Sequence, residues 1–289
     1  MSRKGLLLFL ATGFAWGVPY FFIRVAVPYF STETIIFSRV LIGAAILIPF
    51  AIANKAIVPA LKEWRWLIPF ALIEMVVPWF LITDAEHHVT SGLAGLMIAT
   101  TPFWALIIAY FIQGDKSVTH PKTIIGLVIG FAGVLLLVGI DSLSGHLDLI
   151  NILKLVVSAV AYAVGPAIAA VKLGKVASAG VMSLSMVIVM LVYAVPTFIN
   201  LPGEIAAHPP IEAWLSLGGL GVICSAIAFI VFFELVKEIG SARATLITYV
   251  NTAVALALGI AFLHEPLTTG IAIGFPLVLI GSYWASKKH

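Results

Sequence analysis

Glu74 is the residue in this chain best placed to do chemistry. It lies between Pro69 and Pro78, at the centre of the run 65–84, among apolar neighbours. A carboxylate at the middle of a bilayer costs about 2.5 kcal/mol or more, so it faces a cavity or a partner. There it could receive a substrate ammonium, carry a coupling proton, or stay neutral and hydrogen-bonded to a neighbouring helix. This run and others also hold polar or amphipathic groups within the membrane: Trp16, Tyr20, Trp79, Thr100, Thr101, Trp104, Tyr162, Cys224, Ser225, Tyr249, Asn251 and Thr252. Of these, Trp16, Tyr20, Trp79, Thr101, Trp104, Tyr162, Tyr249 and Asn251 are expected to form a small-molecule pocket with Glu74. Each also has an ordinary reading, since membrane Ser and Thr often bond back to the preceding turn and Trp often packs in a core.

Patterns for catalysis are missing. Glu86-His87-His88 and His264-Glu265-Pro266 look like fragments of metal motifs but lack the i, i+4 histidine pair of a zinc protease helix. There is no Walker loop and no dinucleotide fingerprint, so the reading is not an enzyme, with no catalytic residue, no metal and no cofactor. Arg24, Arg39 and Lys154 lie near span ends, where they either line a vestibule and meet a carboxylate or snorkel to the headgroups.

The elements that must position these residues follow from composition. The chain has 289 residues, 62% hydrophobic and 10% charged, with a mean hydropathy of +1.14. Soluble domains carry about 25% charged residues. This chain reads instead as an all-α polytopic membrane protein. Ten transmembrane helices can be drawn, at 5–27, 33–53, 65–84, 90–113, 121–141, 150–171, 177–200, 212–237, 241–263 and 269–286, each near bilayer length. Short connections carry turn residues such as Pro28, Pro59, Pro121, Gly145, Pro202 and Pro209-Pro210. With the N-terminus inside, every Lys and Arg except Arg24, Arg39 and Lys154 falls in an inner segment. The outer loops carry Glu33, Asp84, Glu86, Asp141, Asp148, Glu204, Glu212 and Glu265. The positive-inside rule then predicts that both termini are cytoplasmic. The single cysteine, Cys224, excludes an internal disulfide.

A repeat organises the spans. Ser91 to Asp115 and Ser241 to Glu265 share a layout at a shift of 150 positions (91 to 241), with Ser91/Ser241, Ala94/Ala244, Leu96/Leu246, Ala105/Ala255 and Leu106/Leu256 coinciding. Ala15-Trp16-Gly17-Val18-Pro19 echoes the stretch from Ala161 to Pro166, and Gly126 and Gly133 match Gly274 and Gly281. A shift of five spans inverts the second half, so the domains expected are two inverted five-helix repeats, 1–143 and 144–289, around a central cavity. Such repeats place their binding site at the interface near the midplane. Spans 1, 3, 4, 6, 8 and 9 carry the central polar groups and are expected to line the cavity. Spans 2, 5, 7 and 10 are apolar around Gly43, Phe131, Ile188 and Leu277 and are expected to be outer props. Gly17, Pro19, Pro78, Pro102, Gly165 and Pro166 are the expected hinge and gating residues, because a proline frees a backbone carbonyl within the membrane.

Trp16-Gly17 with Arg24, Phe37-Ser38-Arg39, Thr101-Pro102, Gly114-Asp115, Ser241-Ala242-Arg243-Ala244, Glu265-Pro266 and the Gly126/Gly133 spacing resemble the EamA family of the drug/metabolite transporter superfamily. Over nearly its whole length the chain is also similar to the YddG-type amino-acid exporters of that family. One departure is Asn251-Thr252, where the second repeat commonly carries a proline, which leaves a break in that helix open. The resemblance implies ten helices around a central cavity and outward passage of aromatic, hydrophobic or small neutral amino acids and related metabolites. The expectation is a secondary transporter working by alternating access in a bacterial-type cytoplasmic (inner) membrane. Its partners would be a small-molecule substrate and the lipid bilayer, with no nucleic acid and with the oligomeric state left open, a monomer being compatible. An aromatic, nearly charge-free cavity would suit an apolar side chain with a zwitterionic head and would not suit nucleotide sugars or triose phosphates. An exporter of a different small metabolite or drug is the alternative. An intramembrane enzyme and a structural or sensory membrane protein are the remote ones.

Overall fold

A computed structural model describes residues 2–113, 119–143, 148–239, 244 and 247–286. Gly114-Asp115, Lys116, Gly145, Ser241-Ala242-Arg243, Leu246 and Lys287-Lys288, all used above, lie outside the described residues. Among those described, regular structure is entirely helical. This is what a lipid environment requires, because a helix satisfies its backbone N–H and C=O groups internally.

Helix α1 runs Arg3–Ala26 and α2 Thr32–Ala53, and a short helix, α3 (Ile57–Lys62), occupies the connection that follows. The next span is α4 (Trp64–Ala71), a wide π-helical turn (Leu72–Val76) and α5 (Val77–Ala85). Then come α6 (Ser91–Ile98), α7 (Thr101–Gln113), α8 (Pro121–Leu143), and α9 (Leu149–Ile168) with a second wide turn at Ala169–Leu173. The chain continues with α10 (Ser178–Ala206), α11 (Ile211–Gly221), a third wide turn (Val222–Ile227), α12 (Ala228–Ile239), α13 (Ile247–Leu263) and α14 (Thr269–Ser286). Seven of these helical stretches are long and apolar enough to cross a membrane, and three shorter ones are as apolar. Leu191, Val195, Phe198 and Ile199 on α10 and Val128, Phe131 and Leu135 on α8 are exposed, whereas Thr12, Ser158, Ser183, Ser185 and Ser225 are buried. An outside more apolar than its inside is the mark of a multi-pass membrane protein.

Helix starts are set by local chemistry. The Ser2 hydroxyl accepts from Gly5 N at 3.0 Å and the Thr90 hydroxyl from Leu93 N at 3.3 Å. The Asp148 carboxylate accepts from Ile150 N at 2.8 Å. Two starts, those of α2 and α6, are held in addition by glutamates distant in sequence. Glu204 accepts from Ser31 N at 2.8 Å, and Glu265 accepts from Ser91 N, Ser91 Oγ and Gly92 N at 2.8, 2.9 and 3.1 Å. Each carboxylate meets unpaired N–H groups and the positive end of a helix dipole.

The wide turns at Leu72–Val76 and Val222–Ile227 start at positions 72 and 222, the same 150-residue shift seen in the sequence. The first lies just ahead of Pro78, which has no N–H to offer the preceding turn. Val77 N bonds Leu72 O across the bulge, and the Tyr193 hydroxyl of α10 donates to Val76 O at 2.9 Å. Pro19 and Pro166 are carried inside α1 and α9 without ending them. Pro102 follows a real break, since α6 stops at Ile98 and α7 starts at Thr101. No matching break occurs in α13, which runs unbroken through Asn251 and Thr252.

Helix pairing follows the division between lining and prop spans. Helix α2 pairs with α10 and α8 with α14, while α1 packs on α11, α12 and α13, and α9 packs on α5, α6 and α7. The α8–α14 crossing depends on the glycines of the sequence repeat: a Cβ on Gly281 would sit 2.2 Å from Gly130 N and 2.6 Å from Gly126 O. A backbone cannot yield as a side-chain tip can, so Gly281→Val should lower stability by about 1–3 kcal/mol. Gly203→Ala, inside α10 with nothing within 4 Å of the new methyl, should not lower it and should raise it by up to about 1 kcal/mol. Thermal unfolding of both variants in detergent checks this expectation.

Candidate functional site

Three spans meet at the Arg39 side chain. Arg39, seven residues into α2, is 9% exposed, and its Nε donates to Ser225 Oγ of the third wide turn at 2.9 Å. Ser225 passes its own proton back to Leu220 O at 2.9 Å. The guanidinium carbon lies over the Trp79 ring of α5, 3.7 Å from its centroid. A desolvated cation–π contact of this kind contributes about 2 kcal/mol or more. Among the described residues no carboxylate lies within ion-pair distance of it. Tyr20, Tyr162 and Cys224 are the groups within electrostatic range.

Glu74 approaches from the first wide turn. It packs against Gly165 of α9 so closely that a Cβ there would sit 2.0 Å from Glu74 Oε2. That oxygen is buried with no hydrogen-bond partner. Glycine at 165 is therefore what lets the carboxylate enter. Tyr162, one turn earlier on α9, lies within electrostatic range of both Glu74 and Arg39. The arrangement is bipolar: a cation on an aromatic plate, a carboxyl group that makes no bond with one of its oxygens, and a phenol in range of both.

Of the residues expected to form a pocket, Tyr20, Glu74, Trp79 and Tyr162 belong to this assembly. Tyr20 is 8% exposed and Trp79 5%, so the assembly is closed over. The others make helix contacts. Trp16 packs edge-on against Phe229 and tilted against Phe232 of α12, at 5.4 and 4.7 Å between ring centroids. The Thr101 hydroxyl bonds back to Ile98 O at 2.7 Å, and Trp104 donates to Thr100 Oγ1 at 3.2 Å, so these polar groups span the α6–α7 break. With its amide nitrogen turned toward the carbonyls, Asn251 donates to Gly13 O of α1 at 2.8 Å and Ile247 O at 3.0 Å. Tyr249 is half-buried on α13. Gly17 meets α13 closely, its Cβ position being 2.5 Å from Val254 Cβ and 2.7 Å from Asn251 O. Gly17 and Gly165 are thus points of close approach, whatever motion they also permit.

The cations left open by the sequence all turn inward. Arg24 Nη1 donates to Glu86 O at 2.6 Å, and Lys154 pairs with Asp84 and with Asn151 Oδ1 at 2.8 Å. Arg39 is the residue that sequence reasoning missed as a site member, together with Ser225 as its partner. The centre of α2 reads as apolar at Gly43, and Arg39 is one turn away. The available signal was its depth: at 1.5 Å per residue it stands about 10 Å from the start of α2. A guanidinium at the centre also revises the expectation of a nearly charge-free cavity.

Two cavities lie elsewhere. A groove of about 420 Å³ on the flank is lined by Phe103, Ile107, Leu127, Val128, Phe131, Ala132 and Leu135. A smaller one of about 220 Å³ lies among Phe70, Ala169, Leu173, Val181 and Met182. The flank groove is apolar and outward-facing, as a surface against acyl chains is. Among the described residues no group of His, Cys, Asp and Glu could hold a metal ion.

Comparison with known proteins agrees with this architecture. The chain is 27% identical over 285 residues to the uncharacterized inner membrane transporter YedA of Escherichia coli (strain K12), covering 94% of this chain and 90% of that one. It is 26% identical over 284 residues to the uncharacterized transporter YvbV of Bacillus subtilis (strain 168), covering 96% and 90%. An uncharacterized transporter of Archaeoglobus fulgidus is 24% identical over 291 residues, covering 99% and 100%. A solved crystal structure shares the fold at a TM-score of 0.66 and 19% identity, over 99% of this chain and 97% of that one. The profile of the EamA-like transporter family matches residues 3–139 and 149–287, so this membrane-embedded, all-helical chain belongs to the EamA-like transporter family.

Proposed function

We propose that this transporter moves small amino acids and related metabolites, outward in the cell, by alternating access. One observation carries the reading: Arg39 is buried on Trp79 with no carboxylate opposite it among the described residues, and Tyr162 lies within electrostatic range of both Arg39 and Glu74. A permanently charged guanidinium inside a membrane protein is costly unless an anion meets it. A substrate carboxylate supplies that anion, and bidentate pairing with guanidinium is the strongest form such a contact takes. The Glu74 carboxylate would take the ammonium, and Tyr20, Trp79 and Tyr162 would flank an apolar side chain. Sites of this kind, mostly apolar with a few convergent polar groups, select by placing each charge.

In this reading the chain forms two inverted five-helix repeats, 1–143 and 144–289, with both termini in the cytoplasm of a bacterial-type inner membrane. The paired wide turns and the exchange of α1 and α9 partners support the repeat. The loop charges support the orientation. Rocking would open the closed assembly to either side, with Gly17, Pro19, Pro78, Pro102, Gly165 and Pro166 as hinges and Glu74 as the coupling group. A second reading, transport of a carboxylate metabolite without an amine, shares Arg39 and dispenses with Glu74.

Uptake of labelled Trp, Phe, Met and Thr by proteoliposomes preloaded with unlabelled amino acids tests the class. Exchange suppressed by competing amino acids is the expected result, and its absence in folded protein discards the amino-acid reading. Arg39→Met should reduce that exchange by about tenfold to a hundredfold, the loss of one charge-assisted contact. Glu74→Gln should weaken competition by amino acids more than by simple carboxylates. Unchanged transport and unchanged pH dependence in Glu74→Gln removes it from binding and coupling.

A further inference from the structure

We propose that Glu86 is a proton-binding site at the acidic mouth of the bundle, occupied by a proton when that mouth is closed and released to water when it opens. Glu86 follows the last residue of α5, where the ends of α1 and α5, the start of α6 and the turn after α13 come together. The residue is completely buried, and neither carboxyl oxygen has a hydrogen-bond partner. Such a group has only two inexpensive states: neutral when dry, or charged when water reaches it.

Every charged or titratable neighbour leaves it in that position. Arg24 on α1 spends its Nη1 on the Glu86 backbone carbonyl at 2.6 Å. Tyr20, also on α1, lies within electrostatic range of Glu86 and of Tyr162 and Arg39. Glu265, after α13, is committed to Ser91 and Gly92 at the start of α6 and adds a like charge nearby. On the same segment Asp84 is paired with Lys154 of α9, and His87 lies 3.5 Å from Thr32 Oγ1. Desolvation holds the His87 imidazole below its usual range, so it brings no fixed positive charge at neutral pH. The neighbouring His88 ring lies 6.3 Å from that of His87. Burial, reinforced by Glu265 and opposed by Arg24, pushes the Glu86 carboxyl well above the usual carboxylate range.

The sign follows. A carboxyl raised in the closed state and ordinary in a hydrated open state leaves closure independent of pH below the usual carboxylate range. As pH rises above that range closure becomes less favourable, until the raised value is passed. Between the ordinary and the raised value each closure takes a proton from water onto the Glu86 carboxylate, and each opening returns it. Tyr20 lies within electrostatic range of both this site and the central assembly, so a transport cycle would load and unload a proton at this one mouth, independently of Glu74. The inference stands whether or not the substrate is an amino acid, because it concerns the mouth and not the cargo.

The test uses purified full-length protein and no substrate. Infrared difference spectra between pH 6 and pH 9 should contain a protonated-carboxyl band that disappears in Glu86→Gln and persists in Glu265→Gln. A band unchanged in Glu86→Gln overturns the assignment. In a Cys224→Ser background, Val89→Cys places a thiol at the mouth, where Val89 is 5% exposed. Labelling by a membrane-impermeant maleimide, normalised to unfolded protein at each pH, should rise from pH 6 to pH 9, by at most about tenfold per pH unit for one linked proton. The same measurement should be flat with Glu86→Gln added. If Glu86→Gln does not fold, the single-thiol protein decides alone: a flat profile overturns the proposal.

Discussion

Burial of the Arg39 guanidinium is the constraint to which the centre of this protein answers. A charge that never leaves must be covered by groups that tolerate it, and the fold brings three. Trp79 offers the face of its ring, Ser225 an acceptor, and Tyr162 a phenol within range. Two of them sit beside or within wide helical turns: Trp79 follows the turn at Leu72–Val76, and Ser225 lies in the turn at Val222–Ile227. Those turns loosen the regular ladder, and the freed carbonyls are then met by Tyr193 and by Ser225 itself. Irregular backbone at this depth is tolerated where protein surrounds it.

Around this centre the helices divide by the kind of surface they need. The prop helices pair with one another, α2 with α10 and α8 with α14, and at the glycine-lined crossing of α8 and α14 the backbones touch. Close packing of small residues replaces the hydrophobic effect, which has little to offer between helices already in lipid. The lining helices also meet closely at glycines, Gly13 and Gly17 on α13 and Gly95 on Ala255, and they add polar contacts such as Asn251 on Gly13 O and Thr252 on Gly95 O at 3.4 Å. Contacts of that sort can be exchanged for others when helices move. At the acidic end, Glu204 and Glu265 hold helix starts and Arg24 and Lys154 hold the end of α5, while both Glu86 carboxyl oxygens are buried without a partner among the described residues.

The all-helical membrane architecture and the family follow from the sequence because they depend on quantities that sequence carries directly. Apolar runs of bilayer length must be helices, and repeated motifs at one shift mark a duplicated unit. Glu74, Trp79, Tyr20 and Tyr162 were findable on the same ground, since a polar or aromatic residue in the middle of an apolar run is conspicuous. The short helix Ile57–Lys62 was not, because six residues within a connection carry no periodic signal.

What tertiary structure alone decided is where each side chain is spent. By itself the sequence determined the helical, multi-pass membrane class, the shift of 150 positions between related segments, and the set of polar residues that lipid could not host. It left Arg39, Arg24 and Lys154 open between headgroups and interior, because a long cationic chain near a span end can reach either. Only the packing of α2 against the turn at Val222–Ile227 directs Arg39 onto Trp79 and Ser225. Likewise Thr101 and Asn251 looked as eligible for a pocket as Glu74, yet a hydroxyl can satisfy itself on Ile98 and an amide on Gly13. A buried carboxyl has no such local remedy, and Glu74 and Glu86 keep oxygens without partners for that reason.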